Sequence, residues 1–340
     1  MGNGTGYRLR LTNRRLRIRV NRMARMWGAH VHRLAPKAYP SRGRYARLVG
    51  ETEIGVPPTA RQRILGEGAR ISDTAITHAV LSYEGSVRLL TFKGGQPLPW
   101  PSMVLARTTF EATLRVLWLL DPTISEDLLL ARIAATLFEE LDEDRKLHID
   151  LPEELARTPL EENQSRVHLL TDALTTCGFT VNGSRRGFVA TPTGERVAFP
   201  LVVADASDKW WSQVGVHTYR WLSGFTHAGT APARQLNIPV AAVESANAYV
   251  VLGLLTDAIW KSMDSYSMWV GMPNGMVRRK LAKIYGFLRS RAPEGAIQER
   301  PPSEIETMFL GMAATLDDLG FVHPKIVRRF RKHYVRRIDM

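Results

Sequence analysis

SEDLLLARIAATLFEEL, residues 125–141, is the stretch that decides the fold. Ser125 is a helix-capping residue, and Glu126 and Asp127 follow where the positive end of a helix dipole favours acids. Leucine, isoleucine and phenylalanine then form an apolar stripe at helical spacing, so the stretch predicts an amphipathic helix.

Working outward, similar signals recur. Upstream, residues 72–91 predict a helix with Ser72 or Asp73 as N-cap, and KGGQPLPWP at 93–101 predicts a loop. Ser102 is placed to cap a long helix through Leu119, which Asp121-Pro122 closes. Downstream, residues 150–164 are polar and proline-bearing and read as a linker, before a helix at 165–176 that ends at Gly178. FTVNGSRRGFVATPTGERVAFP, 179–200, changes the pattern to short β-prone pieces separated by NGS, RRG and PTG turns, predicting a small β-hairpin or winged insertion. Helices resume near Ser207 and run to His227, then at about 240–266, 275–289 and 303–318. The predicted fold class is mainly α: a helical bundle with a small β insertion and basic terminal extensions. It divides into a basic arm (1–50), an N-terminal helical part (51–160), a helix plus β insertion (161–205), a second helical part (206–320) and a basic tail (321–340).

Of the 340 residues, 44% are hydrophobic and 23% charged, the balance of a globular chain with a large core. A single cysteine, Cys177, excludes internal disulfides and a cysteine-based zinc site, and a reducing, cytoplasmic setting is expected. No membrane segment is expected, because the most apolar stretch, 240–260, is broken by Glu244, Asn247 and Asp257. No secretory signal is expected either, since arginines stand where its apolar segment should be.

The net charge of +13 is unevenly placed. Residues 1–50 carry 13 basic residues and no acid, residues 321–340 carry seven against Asp339, and the chain between is net negative. YRLRLTNRRLRIRV, 7–20, alternates apolar residues and arginine at period two on either side of TNR. That suits a short β-hairpin with one arginine face, and equally an extended arm that orders on nucleic acid. A start at Met23 or Met26, with the preceding residues appended, is a third reading. The candidate phosphate contacts are Arg8, Arg10, Arg15, Arg17 and Arg19 in the arm and Arg328, Arg329 and Arg331 in the tail. HVH at 30–32 lacks a third ligand and sits among cations, so no metal site is expected. No cofactor is expected.

YRWLSGFTH, 219–227, holds the candidate chemistry. On a helix, seven residues fall about 20° short of two full turns, so Arg220 and His227 would share a face about 10 Å apart along the axis, with Ser223 between them. Arginine grips phosphate and histidine moves protons near neutrality, which are the two needs of RNA cleavage without a metal. The same pair could hold a phosphate without chemistry. Arg107, Glu111 and Arg115 recur every four residues. They read either as a second wall of that cleft, with Glu111 orienting Arg220 or His227, or as an ion-pair network tying the bundle together.

The Arg220-x6-His227 spacing in a mostly helical body resembles the Arg-x4–6-His signature of the HEPN superfamily. LARTTFEATLRVLWLLDP at 105–122 and WWSQVGVHTYRWLSGFTHAGT at 210–230 extend the resemblance to an abortive-infection-like, actinobacterial-type branch of helical proteins, over about residues 70–290. Trp221 stands where family patterns often place Asn, Asp or His. The resemblance implies a metal-independent ribonuclease, a toxin or phage-defence effector, with Arg220 and His227 as its pair. It also implies RNA as substrate, tRNA among the candidates, a homodimer whose two pairs share one cleft, and an antitoxin or defence partner. A non-catalytic RNA- or nucleotide-binding module, or a structural subunit of a larger nucleoprotein or defence assembly, is the alternative.

Overall fold

Ser125 caps its helix as its position predicts: its Oγ accepts the Leu128 N–H at 3.1 Å, and the helix runs to Ile149. The computed structural model describes residues 14–28, 43–50, 57–90, 99–183, 187–201, 240–271 and 275–290, with Val203, Ala206, Trp210, Tyr219, Arg220, Leu222 and Ser223. Helices α1 (14–28), α2 (Arg44–Val49), α3 (Ala60–Leu90), α4 (Pro99–Leu119), α5 (Glu126–Ile149) and α6 (Glu153–Thr176) come first. A sheet of β1 (Thr180–Asn182), β2 (Phe188–Ala190) and β3 (Arg196–Ala198) follows, then α7 (Val240–Val270) and α8 (Gly275–Arg289). The fold is mainly α with a small antiparallel sheet. These residues lie in one unit, 1–292; a second, 293–340, contains the expected 303–318 helix and Arg328, Arg329 and Arg331, all outside the described residues.

The long helix α3 packs against α4, α5 and α7, so most of the core forms along its length. Two tyrosines tie α3 to α7: the Tyr83 hydroxyl meets Thr256 Oγ1 at 2.7 Å, and Tyr266 donates to Asp73. Tyr83 is fully buried, and burial pushes its phenol well above the ordinary range. The sheet, ordered β1-β2-β3, lies on α5, where Phe199 stacks on Phe138 at 5.3 Å. Val189 and Val197 face each other in register and point inward, and Gly194, at φ +87°, turns β2 into β3.

A buried carboxylate sets the corner between α4 and α5. Asp121, 1% exposed, accepts both the backbone N–H and the hydroxyl of Thr123, and its other oxygen lies 3.7 Å from Arg132. Arg132 also donates to the Trp118 carbonyl at the end of α4 and covers the Trp118 ring. Arg44 of α2 donates to the Asp121 and Ile124 carbonyls at 2.9 and 2.8 Å. Burial lowers both guanidinium pKa values, and the neighbouring carboxylate opposes that shift. Asp121-Pro122 thus ends α4 as the sequence indicates, through a hydrogen-bonded turn joining three helices.

Four expectations are corrected. Residues 14–28 form α1, not a strand of a hairpin, because Leu16, Val20, Met23 and Trp27 recur at helical spacing and all four are buried. Trp27 meets the Tyr266 ring edge-on at 5.7 Å, which seats α1 on α7, and a start at Met23 or Met26 would remove Leu16 and Val20 from this core. Ser72 and Asp73 are not caps but lie inside α3: Ser72 donates to the Gly68 carbonyl at 2.7 Å and Asp73 receives Tyr266. Ser102 is likewise interior, paired with Ser86 at 2.9 Å, because α4 already begins at Pro99, where a missing N–H matters little. Residues 153–164 are the start of α6 rather than a linker. Pro159 removes one of its backbone bonds, but Asn163, buried, donates to the Leu141 carbonyl and to Asp144, each at 2.9 Å, and pins the helix to α5.

Three stability measurements follow. Asp121→Ala leaves Arg132 half-buried without its anion and is expected to cost about 3 kcal/mol in urea unfolding. Arg157→Ala, breaking a pair whose side chains are 75% and 66% exposed, should stay within about 0.5 kcal/mol. Leu16→Ala should cost about 2–4 kcal/mol if α1 belongs to the cooperative core, and near zero if it is an appended arm.

Candidate functional site

The two segments that carry the candidate chemistry meet where α4 lies beside Tyr219, which with Arg220, Leu222 and Ser223 is described in helical geometry. Tyr219 and Leu222, three apart, turn into the protein: Leu222 is fully buried and Tyr219 packs partly buried against the core. Arg220, one residue along the helix from Tyr219, is therefore carried outward and is exposed. The Tyr219 ring lies 5.6 Å from the Arg107 guanidinium carbon, so a cation–ring contact fixes the segment to α4. Lys261 of α7 donates to the Trp210 carbonyl at 3.3 Å and pairs with Asp257 at 3.3 Å, which ties an earlier point of the segment to α7.

On α4, Arg107 Nε donates to Glu111 at 2.8 Å, with side-chain exposures of 16% and 34%. Arg115 points elsewhere, to Glu139 of α5 at 2.9 Å. The three-residue stripe is thus divided: its first two members pair with each other beside Tyr219, and the third ties α4 to α5. Among the described residues Glu111 accepts from Arg107 and not from Arg220.

Each predicted residue can now be placed. Arg220 is exposed and in helical geometry. Ser223 is also helical, but its Oγ is buried and has no hydrogen-bond partner among the described residues, so it does not sit openly on the Arg220 face. His227 lies outside the described residues, as do Trp221, His217, Arg8, Arg10 and the HVH at 30–32. Arg15, Arg17 and Arg19 lie on α1; Arg19 is engaged within the chain, donating to the Lys283 carbonyl at 3.0 Å and lying over the Phe287 ring. Among the described residues, no three His, Cys, Asp or Glu side chains converge as metal ligands, and no helix is long and apolar enough to cross a membrane. Trp269 is buried and Trp118 and Trp210 pack partly buried against the core.

Sequence reasoning did not single out Tyr219 as the residue that carries Arg220 to α4, nor the cations of α8. Gly275–Arg289 reads GMVRRKLAKIYGFLR, with five basic residues and no acid. That acid-free run is the local signal that marks these cations in the sequence.

The Tyr219–Arg107 contact has a direct test. Tyr219→Phe keeps the ring face and should change stability by less than about 0.5 kcal/mol, whereas Tyr219→Leu should cost about 1–2 kcal/mol by thermal or urea unfolding. Comparison with family models, with characterised proteins and with solved structures gives no match to this chain.

Proposed function

We propose that the chain is an RNA-directed, metal-independent endoribonuclease in which Arg220 and His227 form the reacting pair. His227 takes the proton of a ribose 2′-hydroxyl, whose oxygen attacks the adjacent phosphorus. The bond to the 5′-oxygen then breaks, and that oxygen takes up a proton. The products are a 2′,3′-cyclic phosphate and a 5′-hydroxyl end. Arg220 stabilises the charge that gathers on the phosphorane oxygens. The observation that supports this reading is the exposed Arg220, next in sequence to Tyr219, whose ring meets Arg107 of α4. A toxin or phage-defence effector working as a homodimer, with tRNA among its targets and an antitoxin or defence partner, is the setting proposed for it.

A second reading, RNA binding without cleavage, draws on two observations at the same place. Glu111 is held by Arg107, and the Ser223 hydroxyl is buried, so neither is presented to Arg220 as a helper. The two readings separate in one experiment. Purified chain is incubated with mixed RNA including a tRNA pool, in EDTA, beside His227→Ala and Arg220→Ala. Cleavage to cyclic-phosphate ends that falls at least about 1,000-fold in either variant is the expected result. RNA bound but left intact by all three proteins would establish the binding module instead, and equal cleavage by all three would remove Arg220 and His227 from the chemistry.

A further inference from the structure

We propose that the seam between α1 and α8 is a binding surface for the phosphodiester backbone of a nucleic acid, gripped without base specificity. It takes its partner class from the RNA reading above, but it stands on different residues.

Neither helix carries an acid. α1 holds six arginines, and α8 holds three arginines and two lysines. Their apolar faces are turned inward, where Leu16, Val20, Met23 and Trp27 of α1 and Val277, Leu281, Ile284, Phe287 and Leu288 of α8 are buried. Arg19 shows which flanks meet, since it donates to the Lys283 carbonyl and lies 5.0 Å from the Phe287 ring centre. Helical spacing places Arg15 and Arg22, four residues before and three after, on the Arg19 flank. Lys280 and Lys283, seven and four residues before Phe287, share its flank in the same way. Five cations therefore border one seam.

Four of them are uncommitted. Among the described residues, Arg15, Arg22, Lys280 and Lys283 have no acidic partner, and Arg15, Arg22 and Lys283 are exposed. Other arginines are used differently: Arg61, Arg70 and Arg115 of the body each hold a carboxylate, and on α8 itself Arg278 pairs with Asp264 of α7. An exposed row of like charges across two packed helices repels itself, and a polyanion relieves that repulsion. Arg15 and Arg22 lie about 10 Å apart along the helix axis, close to the axial rise of three nucleotides in one strand. Guanidinium forks suit phosphate oxygens, and the lysines add point charges.

An anionic membrane fits less well. A helix that lies on a bilayer exposes its apolar face to the lipid, and here both apolar faces are in the core, leaving Ile18 and Met276 as the large apolar side chains exposed on these helices.

The test uses the full chain in EDTA with fluorescent 2′-O-methyl RNA, single-stranded and duplex, and a DNA duplex of the same sequence. Anisotropy is followed from about 50 to 300 mM salt. Phosphatidylserine vesicles are the competing surface. The 2′-O-methyl group removes the nucleophile, so binding is read whether or not the chain cleaves RNA, and failure of the nuclease reading leaves this result untouched. Arg15→Glu with Lys283→Glu should weaken nucleic-acid binding at least about 30-fold and lower the slope of log K against log salt by about 1.4 or more. The control, Arg157→Glu with Arg166→Glu on exposed α6 positions, changes the charge equally and should cost less than about threefold. Binding of either nucleic acid supports the surface, and the tighter one names its source. Equal losses in both pairs, or no loss in the seam pair, overturns the proposal, as does vesicle binding that outcompetes both nucleic acids. If circular dichroism shows the glutamate pair unfolded, Arg15→Gln with Lys283→Gln keeps the question open to decision, with a loss of about tenfold expected and no loss overturning it.

Discussion

The buried carboxylate of Asp121 is the interaction on which the arrangement of this chain depends. An ionised group taken out of water is tolerated only with partners, and Asp121 has Thr123 on one oxygen and Arg132 near the other. Arg132 reaches back to the last turn of α4, and Arg44 brings α2 onto the same turn. The direction in which α5 leaves α4 is fixed there. Once α5 is fixed, so is the platform under the sheet, where Phe138 and Phe199 stack, and the groove in which Asn163 pins α6. The exposed pairs of this protein, such as Arg157 with Glu161, contribute little by comparison, because water screens them.

A fixed α4 explains the geometry around Arg220. Arg107 is held from two sides, by Glu111 one turn along its own helix and by the Tyr219 ring. It joins two segments more than a hundred residues apart in sequence and gives the short helical stretch a defined footing. The same contact limits the chemistry available there, since a carboxylate already accepting from an arginine beside it is a weaker partner for a second one. The geometry thus presents Arg220 as an exposed cation next to a residue that contacts α4.

Elements with strong local signals were legible in the sequence. Ser125 with its acids, the apolar run of α7, and the PTG turn of the sheet each carry their instruction within a few residues. The misread elements are those whose signal is tertiary. Ser72 and Asp73 resemble caps, but one donates back to its own helix and the other receives a tyrosine 193 residues away. The first turns of α6 look like a linker because the helix is mostly exposed and has little apolar stripe; three buried residues hold it. In α1 the period-two alternation of arginine competed with Leu16, Val20, Met23 and Trp27 at helical spacing, and burial decided for the helix. For the candidate site, the Arg107–Glu111–Arg115 spacing was legible. Its division between Glu111 and Glu139 was not, because nothing local says which carboxylate an arginine will reach.

That division extends to the charge of the whole chain. Between the basic ends the chain is net negative, and many charges are consumed in joining helices: Glu139 to Arg115, Asp121 to Arg132, and Asp264 to Arg278 of α8. A chain that needed arginine only as structural glue would supply acids wherever it supplied arginine. On α1 it does not, and α8, more than 250 residues later, has the same acid-free composition and packs alongside. Apolar stripes bury both helices in the core, and Arg19 and Arg278 are engaged within the chain, but Arg15, Arg22, Lys280 and Lys283 have no acidic partner among the described residues and, by mutual repulsion, act against folding. Two segments remote in sequence, each burying its apolar stripe and leaving much of its positive charge outside, meet along one seam, and an anion from outside the chain would relieve the repulsion there.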